Sequence, residues 1–360
     1  MLLGKTIFIN ASHPSATGAA VISDRNFKLI SESSVEIYRF PIQITLSAFS
    51  HNITDIVLSA NLVKKQDIMT IIRFIKDKKL DCVFLDNSLF GNLAKEIKTD
   101  IPEVNIISFF HNVEYSYFRE LIKVSKKFHH WFTILLVKKA EKQIVKYSNF
   151  LVALNDRDSL DIKRKYGKAV DIVLPTTFSD NYNELQDKNA RSNQDILHIL
   201  FVGSYFPPNI FGINWFTKNV MPHIKRKVKL LVIGSGFEGH KVLNMQGNIE
   251  MIGKVDDLAN YYYQSDLVIA PIFHGSGMKT KIAEALMFNR PIFGTQEAFE
   301  GYDVDITHIG KLCNNQYDFI QNIENFQTSK YKTIRQIYLN NYSYATISHK
   351  FKDFLDAKFN

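Results

Sequence analysis

Short apolar runs recur along the chain and alternate with longer segments whose apolar residues are spaced as on one face of a helix. This alternation predicts parallel β-sheets covered by helices, the α/β class. The predicted strands form one set in each half of the chain. The first set reads KTIFIN, TDIVLSA, DCVFLD, NIISFF, NFLVALN and DIVLP, and the second reads ILHILFVG, VKLLVIG, IEMIG, DLVIAPI and RPIFG. The pattern therefore predicts two Rossmann-like, doubly wound domains facing each other across a cleft.

A polar segment between the two sets of strands predicts the domain boundaries. Residues 179–194, SDNYNELQDKNARSNQ, lack an apolar face, and we interpret them as a linker. The N-terminal domain is then predicted to span residues 1–178 and the C-terminal domain residues 195–341. In the tail, residues 342–360, apolar side chains at helical spacing predict a closing helix.

Composition and charge indicate a folded protein. The chain has 46% hydrophobic and 22% charged residues and a formal net charge of +8, which argues against intrinsic disorder. Cys82 and Cys313 stand far apart, so neither a disulfide framework nor a zinc site is predicted. No apolar run approaches the ~18 residues that a membrane span needs, and the first residues lack a signal-peptide pattern. We expect a cytoplasmic protein.

The strongest candidate for chemistry follows the predicted strand DLVIAPI, in the run FHGSGMKTKIAEAL. Gly275 and Gly277 permit a tight turn before a helix, whose first amides form a site for anions. Lys279 and Lys281 lie near the first helical turn, where the helix dipole disfavours cations, so a negative ligand is expected, best a diphosphate. The alternative is that both lysines are solvated and that Glu284 forms a surface pair with Lys281.

Two further predicted strands of the second set end in small residues. The strand ILHILFV runs into Gly203 and Ser204, which allow close approach of a ligand, and Asn209 is a candidate helix cap. The strand VKLLVI runs into GSGFEG, which begins at Gly234 and matches the dinucleotide fingerprint G-x-G-x-x-G. The next strand, IEMIG, does not end in the acidic residue that would hold a ribose. We therefore favour a turn or a phosphate contact over a nicotinamide site.

In the first half, the sharpest candidate is the run SFFHNVEYSYF. A strand ends there in His111 and Asn112, and Glu114 and Tyr115 enter a helix. A histidine that follows a parallel strand is better placed to contact substrate than one on an apolar helix face. After the first strand, a long loop that holds Gly18 is suited to cover a binding site.

Residues 123–146, from Lys123 to Lys146, mix lysines with an apolar face. Such a segment can lie on an anionic membrane, on the inner face of the plasma membrane for a cytoplasmic protein. A core helix with a solvated basic side is an equal alternative, and nucleic acid is not predicted because no nucleic-acid motif is present. The pair Asp303 and Asp305 lacks supporting ligands, so no metal site is predicted.

The C-terminal half resembles GT-B glycosyltransferases of group 1, glycosyltransferase family four. The resemblance is strong over residues 197–302, through LHILFVGSYFPPN, LLVIGSG, IEMIGKVDDL, DLVIAPIFHGSGMKTKIAEAL and PIFGTQEAFEG, and weaker over residues 1–175. The final YSYATISHKFKDFL is similar to the family's closing helix, which packs back on the N-terminal domain. The resemblance implies a sugar nucleotide in the C-terminal domain, an acceptor in the N-terminal domain, and transfer with retention at the anomeric carbon.

The resemblance also implies residue roles. Glu284 matches the acid that binds the nucleotide ribose, Lys279, Thr280 and Lys281 lie where the family grips the diphosphate, and His111 matches the histidine beside the anomeric carbon. The remaining donor-site candidates are Gly18, Gly203, Ser204, Gly234, Val255, Gly275, Ser276, Gly277 and Met278, and the acceptor-site candidates are Asn112, Glu114 and Tyr115. One departure stands out: the family has a glutamate eight residues before Glu284, and this chain has Ser276.

Together these observations predict a metal-independent hexosyl- or glycosyltransferase. It would move a sugar from a UDP or GDP sugar to a saccharide or lipid-linked saccharide in surface-polysaccharide synthesis, with the lysines in place of a metal and no cofactor. A sugar-nucleotide epimerase and a non-catalytic sugar-nucleotide-binding protein of the same fold remain alternatives.

Overall fold

The computed structural model describes residues 3–12, 18–44, 62–125, 129–190, 195–239, 247–275 and 277–359. The chain divides into two compact units: unit 1 is Met1–Pro175 with Ser348–Asn360, and unit 2 is Thr176–Ile347. Each unit contains one sheet of six parallel strands. The α/β class and the two Rossmann-like units predicted from the sequence are confirmed.

The sheet of unit 1 has the strand order β2-β1-β3-β4-β5-β6. Its strands are β1 (Lys5–Ala11), β2 (Glu36–Ile42), β3 (Cys82–Asp86), β4 (Asn105–Phe110), β5 (Phe150–Ala153) and β6 (Ile172–Val173). The sequence pattern missed β2 because this edge strand is half exposed and mixes polar with apolar residues. The predicted strand TDIVLSA, residues 54–60, lies outside the described residues.

The helices of unit 1 connect these strands. They are α1 (Gly18–Glu32), α2 (Lys65–Lys78), α3 (Gly91–Asp100), α4 (Glu114–Ser125), α5 (His129–Tyr147) and α6 (Asp156–Tyr166), with a 3-10 turn at Ser88–Phe90. Local signals set the ends of α6: Asn155 Oδ1 accepts from the Asp158 amide at 2.8 Å, and Gly167 follows the last turn with φ 78°.

The sheet of unit 2 has the strand order β12-β11-β10-β7-β8-β9. Its strands are β7 (Leu197–Val202), β8 (Val228–Ile233), β9 (Ile249–Gly253), β10 (Leu267–Ala270), β11 (Ile292–Gly294) and β12 (Gly310–Leu312). Its helices are α7 (Glu184–Ala190), α8 (Pro207–Asn219), α9 (Ala259–Gln264), α10 (Thr280–Met287), α11 (Gln296–Phe299), α12 (Ile306–Ile309), α13 (Gln316–Glu324) and α14 (Ile334–Asn341), with 3-10 turns at Met221–His223 and Thr328–Lys330.

The central strands of both sheets are buried along their whole length, β3 in unit 1 and β10 in unit 2. A parallel sheet covered on both faces reads as continuous apolar sequence, which is why these strands were predicted from short apolar runs. The segments that leave the strands meet at the carboxyl edge of each sheet, and this edge carries the candidate sites.

The final helix, α15 (Tyr344–Phe359), contributes to both units. Its residues up to Ile347 belong to unit 2 and those from Ser348 to unit 1. In unit 1 the ring of Phe354 packs on Phe150 edge to face, with ring centroids 5.6 Å apart.

The segment predicted as a linker, residues 179–194, is folded against unit 2 where the structure describes it. It forms α7, and Asp187 of this helix is ion-paired with the fully buried guanidinium of Arg290. Arg290 also donates to the carbonyl oxygens of Tyr262 at 2.6 Å and Tyr263 at 3.0 Å. No apolar pattern predicts this contact, because a charge pair makes it.

Asp187→Asn should destabilise unit 2, since the Arg290 charge would stay buried without its carboxylate. Breaking such a buried pair costs about 3 kcal/mol or more. Urea unfolding followed by circular dichroism measures the change. Lys188→Gln is the matched control, because Lys188 pairs with Glu184 on the solvent face of the same helix. Equal stability of the two variants would contradict an anchoring role for Asp187.

Candidate functional site

In unit 2, the segments that follow β7 and β8 touch at the carboxyl edge of the sheet. The Gly234 amide donates to Gly253 O at 2.8 Å, and a Cβ placed on Gly234 would lie 1.8 Å from Gly203 O. Gly234 also has φ 154°, in the region that favours glycine. The small residues predicted at these strand ends are therefore required for two loops to pack backbone to backbone.

Lys281 is buried at the start of α10. Its side chain is 7% exposed, its Nζ donates to Asn209 Oδ1 at 2.9 Å, and Nζ lies 4.2 Å from the ring centroid of Phe201. Burial, and secondarily the charge of Lys279, lowers the pKa of Lys281 to about 7. A buried ammonium beside a neutral amide and a ring is poised for an anion.

Asn209 connects this lysine to the loop after β7. The sequence suggests Asn209 as the cap of α8, and this is wrong, because Phe206 holds the N-cap position and Pro207 opens the helix. Its Nδ2 instead donates to Ser204 O at 2.9 Å while its Oδ1 accepts from Lys281. The amide side chain thus fixes Ser204 and Lys281 relative to each other.

Lys279 precedes the first residue of α10, Thr280. Its Nζ donates to Gly277 O at 3.0 Å and to Glu297 Oε1 at 2.5 Å, and its own carbonyl accepts from Tyr302 Oη at 2.8 Å. Gly277 has φ 66°, which the turn requires and other residues rarely adopt. Of the neighbouring candidates, Met278 is buried, Gly275 is exposed, and Ser276 lies outside the described residues.

Glu284 is half-buried on the same helix. Tyr262 Oη donates to Glu284 Oε2 at 2.8 Å, and burial raises the pKa of Glu284 to about 7. The Tyr262 ring stacks on Phe288 at 4.7 Å, so this donor is held in place. Because the Tyr262 carbonyl oxygen also accepts from Arg290 Nε, the buried Asp187–Arg290 pair supports Glu284 through one residue.

The GSGFEG run forms a turn that satisfies its own amides. Glu238 accepts from the Gly236 amide at 2.6 Å and from the Lys254 amide at 2.7 Å. Hydrogen bonds from its own backbone amide, and then from the amides of Lys254 and Gly236, hold the pKa of Glu238 below its usual value. A carboxylate of the chain itself therefore accepts from the Gly236 amide of this turn. Val255, next to Lys254, is half-buried.

In unit 1, His111 follows β4 and is 6% exposed. Its Nε2 lies 3.1 Å from Asp86 O and 3.2 Å from Asp86 Oδ1. Both partners are acceptors, so Nε2 carries a hydrogen. Asn26 Nδ2 donates to Asp86 Oδ1 at 2.6 Å. Asp86 was not singled out from the sequence, although it is the polar residue that ends the apolar strand DCVFLD.

Glu141 fixes the helix that follows His111. This buried residue of α5 accepts from the amides of Glu114 at 2.7 Å and Tyr115 at 3.2 Å, the first residues of α4, and from Tyr166 Oη at 2.7 Å. A carboxylate at a helix N-terminus satisfies orphan amides and complements the helix dipole. Burial raises the pKa of Glu141 to about 7 and also raises the pKa of Glu114, whose Oε1 accepts from Asn112 at 3.4 Å.

The other sequence candidates of unit 1 are only partly described. Gly18 is the exposed first residue of α1, and residues 13–17 of its loop lie outside the described residues. Within residues 123–146, residues 126–128 lie outside them too, so the predicted single basic segment is seen as the end of α4 and as α5.

A basic groove of about 390 Å³ lies along α5 in unit 1. Leu135 within it is 64% exposed. The residues that line the groove are Lys95, Leu135, Lys138, Lys139, Lys142, Gln143, Lys146 and Tyr147.

Among the described residues no helix combines the length and apolarity needed to cross a membrane. In the same part of the chain, no three His, Cys, Asp or Glu side chains are grouped to hold a metal ion.

Comparison with known proteins identifies the fold of the chain and gives a family match over part of its length. Residues 197–325 match the family described as glycosyl transferases group 1, so the resemblance expected from the sequence is confirmed over this region. No curated protein matches the chain in sequence.

Solved structures match nearly the whole chain. Sucrose-phosphate synthase from Thermosynechococcus elongatus superposes with TM-score 0.73 at 13% identity, covering 99% of both chains. Anabaena HepE in complex with UDP-glucose gives TM-score 0.69 at 13% identity over 98% of this chain and 99% of that one. WaaG, a glycosyltransferase involved in lipopolysaccharide biosynthesis, gives TM-score 0.63 at 14% identity over 99% and 100%. The chain has the GT-B fold.

Lys281→Met should remove a pH-dependent part of the stability. Below pH 7 the ammonium is protonated in both folded and unfolded chains, so its burial penalty is constant. The pKa of Lys281 falls from 10.5 to about 7 on folding. Above pH 7 the unfolded chain therefore keeps this proton while the folded chain loses it. The unfolding free energy of the wild type should then rise by about 2 kcal/mol, relative to the variant, over roughly two pH units.

Urea unfolding of both proteins at several pH values from about 6 to 9 measures this difference. The variant should be relatively most stable at the acidic end, and its advantage should shrink above neutral pH. A difference that stays constant over the range would mean that the Lys281 ammonium is not desolvated.

Proposed function

We propose that this chain, which has the GT-B fold and matches the group 1 glycosyl transferases over residues 197–325, is a glycosyltransferase. It moves a sugar from a nucleoside-diphosphate sugar, with a UDP or GDP carrier, to a saccharide or lipid-linked saccharide in surface-polysaccharide synthesis. Transfer retains the anomeric configuration. The observation that carries the proposal is the buried Lys281 ammonium at the start of α10, whose hydrogen-bond partner is the neutral amide of Asn209. A bound UDP-glucose in HepE supports a sugar-nucleotide donor.

In the proposed reaction, negative charge develops on the departing diphosphate. Lys281, Lys279 and the first amides of α10, from Thr280 onward, are fixed before the reaction and stabilise that charge without reorganisation. The second oxygen of Glu284, beyond its bond to Tyr262, accepts from the ribose hydroxyls. With the lysines in this role, the reaction requires neither a metal ion nor a cofactor.

For unit 1 we propose that His111 acts in the transfer step and that Asn112, Glu114 and Tyr115 bind the acceptor. Asp86 supports this role because it fixes the hydrogen on His111 Nε2. The two bonds from Glu141 to the start of α4 support it because they hold the acceptor candidates in one orientation.

We also propose that the basic groove along α5 contacts an anionic membrane. Its lysines supply the charge, and exposed Leu135 supplies an apolar side chain that can enter the interface. Each lysine near such a surface contributes about 1 kcal/mol of attraction. A protein that acts on lipid-linked acceptors at the inner face of the plasma membrane would benefit from this contact.

Lys281→Met is expected to lower the turnover of sugar transfer by about a hundredfold, the usual effect of removing one donor from a developing anion. A thermal-shift screen of UDP, GDP, ADP and TDP and their sugars identifies the donor for this assay, because the matching nucleotide raises the melting temperature of the protein. The rate of transfer is measured from the release of the nucleoside diphosphate. Proton NMR of the product gives its anomeric configuration.

Lys218→Met, an exposed lysine at the far end of α8, is the control and should keep wild-type turnover. Unchanged transfer by Lys281→Met would contradict the diphosphate site. A wild-type protein that binds none of the nucleotides would contradict the proposed function itself.

Charge reversal in the groove should release the protein from anionic vesicles. The double variant Lys138→Glu/Lys142→Glu is expected to bind phosphatidylcholine vesicles containing phosphatidylglycerol at least about tenfold more weakly. Co-sedimentation measures the bound fraction at low and high salt. Lys225→Glu/Lys227→Glu reverses two exposed lysines of unit 2 and is the control. Equal loss in both variants would mean that net charge, not the groove, drives binding.

A further inference from the structure

The carboxylate of Glu297 lies at the glycine turn of unit 2. The short helix α11, which follows β11, carries it there, and its Oε1 accepts from Lys279 Nζ. A Cβ placed on Gly275 would lie 3.7 Å from both Glu297 Oε1 and Lys279 Nζ. Position 276, between the two glycines, is a serine, so the turn itself contributes no carboxylate.

This ion pair differs from an ordinary surface pair. The Lys279 side chain is 9% exposed and that of Glu297 is 24% exposed. The backbone that carries Glu297 is also fixed, because Thr295 Oγ1 donates to Ile272 O, next to β10, and accepts from the Ala298 amide at 3.3 Å. Glu297 is therefore held at the turn by its own backbone as well as by Lys279.

The pair makes the two lysines of the site unequal. Glu297 neutralises Lys279, whereas Lys281 has the neutral amide of Asn209 as its partner. The strongest attraction for a phosphate is therefore at Lys281. Next to Lys279 lies the partly exposed carboxylate of Glu297, which has one oxygen engaged by Lys279 and further acceptor capacity. Such a group accepts hydrogen bonds from hydroxyls and repels another carboxylate.

We propose that Glu297 determines which sugar the donor site takes. Its carboxylate accepts hydrogen bonds from hydroxyls of the sugar that is transferred, and Lys279 is the positioning residue that orients it. The site then selects a neutral, hydroxyl-bearing hexose over a uronic acid. This inference rests on the proposed function, since it concerns the sugar of the same nucleotide-sugar donor.

The test compares Glu297→Gln with the wild type by isothermal titration calorimetry. Glutamine keeps the size of the side chain and an oxygen for Lys279 but removes the charge. The probes are the nucleoside diphosphate that the wild type binds in the thermal-shift screen, the same nucleotide carrying a neutral hexose, and the same nucleotide carrying a uronic acid.

The variant should bind the hexose conjugate about tenfold more weakly, the usual effect of losing one charge-assisted hydrogen bond. Its affinity for the nucleoside diphosphate without a sugar should change less than about twofold, and the uronic acid conjugate should bind more tightly. Glu250→Gln is the matched control, because Glu250 pairs with Lys229 on the surface of β9, and it should leave all three affinities unchanged.

Two results with Glu297→Gln would overturn the inference while leaving the proposed function intact. Equally tighter binding of the free nucleotide and its hexose conjugate would mean that Glu297 is only a counter-ion that phosphate displaces from Lys279. Equally weaker binding of both would mean that Glu297 only supports the turn. A wild type that binds none of the nucleotides would overturn both proposals, so the two failures are distinguishable.

Discussion

The burial of one ammonium group, that of Lys281, constrains the whole carboxyl edge of unit 2. A cation taken from water into the protein loses hydration, and its partners here are a neutral amide and an aromatic face. Asn209 Oδ1 and the Phe201 ring hold this ammonium inside the protein at the start of α10. The chemistry of the site follows from a buried cation whose hydrogen-bond partner is a neutral amide.

A second buried group transmits the same constraint to distant sequence. Arg290 binds the backbone of Tyr262 and Tyr263 and is neutralised by Asp187 of α7, so a helix before the first strand of unit 2 supports the face on which Glu284 lies. Five donors in a rigid plane allow one arginine to join three segments, which a lysine could not do. Helix α7 is therefore connected to the site through Arg290 and Tyr262, although more than ninety positions of sequence separate Asp187 and Glu284.

Much of the fold could be predicted from the sequence, because buried parallel strands are written as short apolar runs. DLVIAPI became β10 and DCVFLD became β3, and the turn and lysines after DLVIAPI lie together as their spacing indicated. The edge strands β2 and β12 were missed because they are half exposed or only three residues long. Asn209 and Glu297 were not predicted as partners of the lysines because each comes from another strand end, and no local pattern encodes a contact across a sheet.

The shared helix α15 has a consequence for how the protein is made. Unit 1 contains the first strand, yet it also includes residues from Ser348 onward, which are synthesised after unit 2. Until then Phe150 lacks Phe354 and Phe359, the rings that pack on it in the finished protein. The amino-terminal unit therefore stays incomplete until unit 2 has been synthesised, and the Phe150 ring of a nascent chain lacks its cover over that interval.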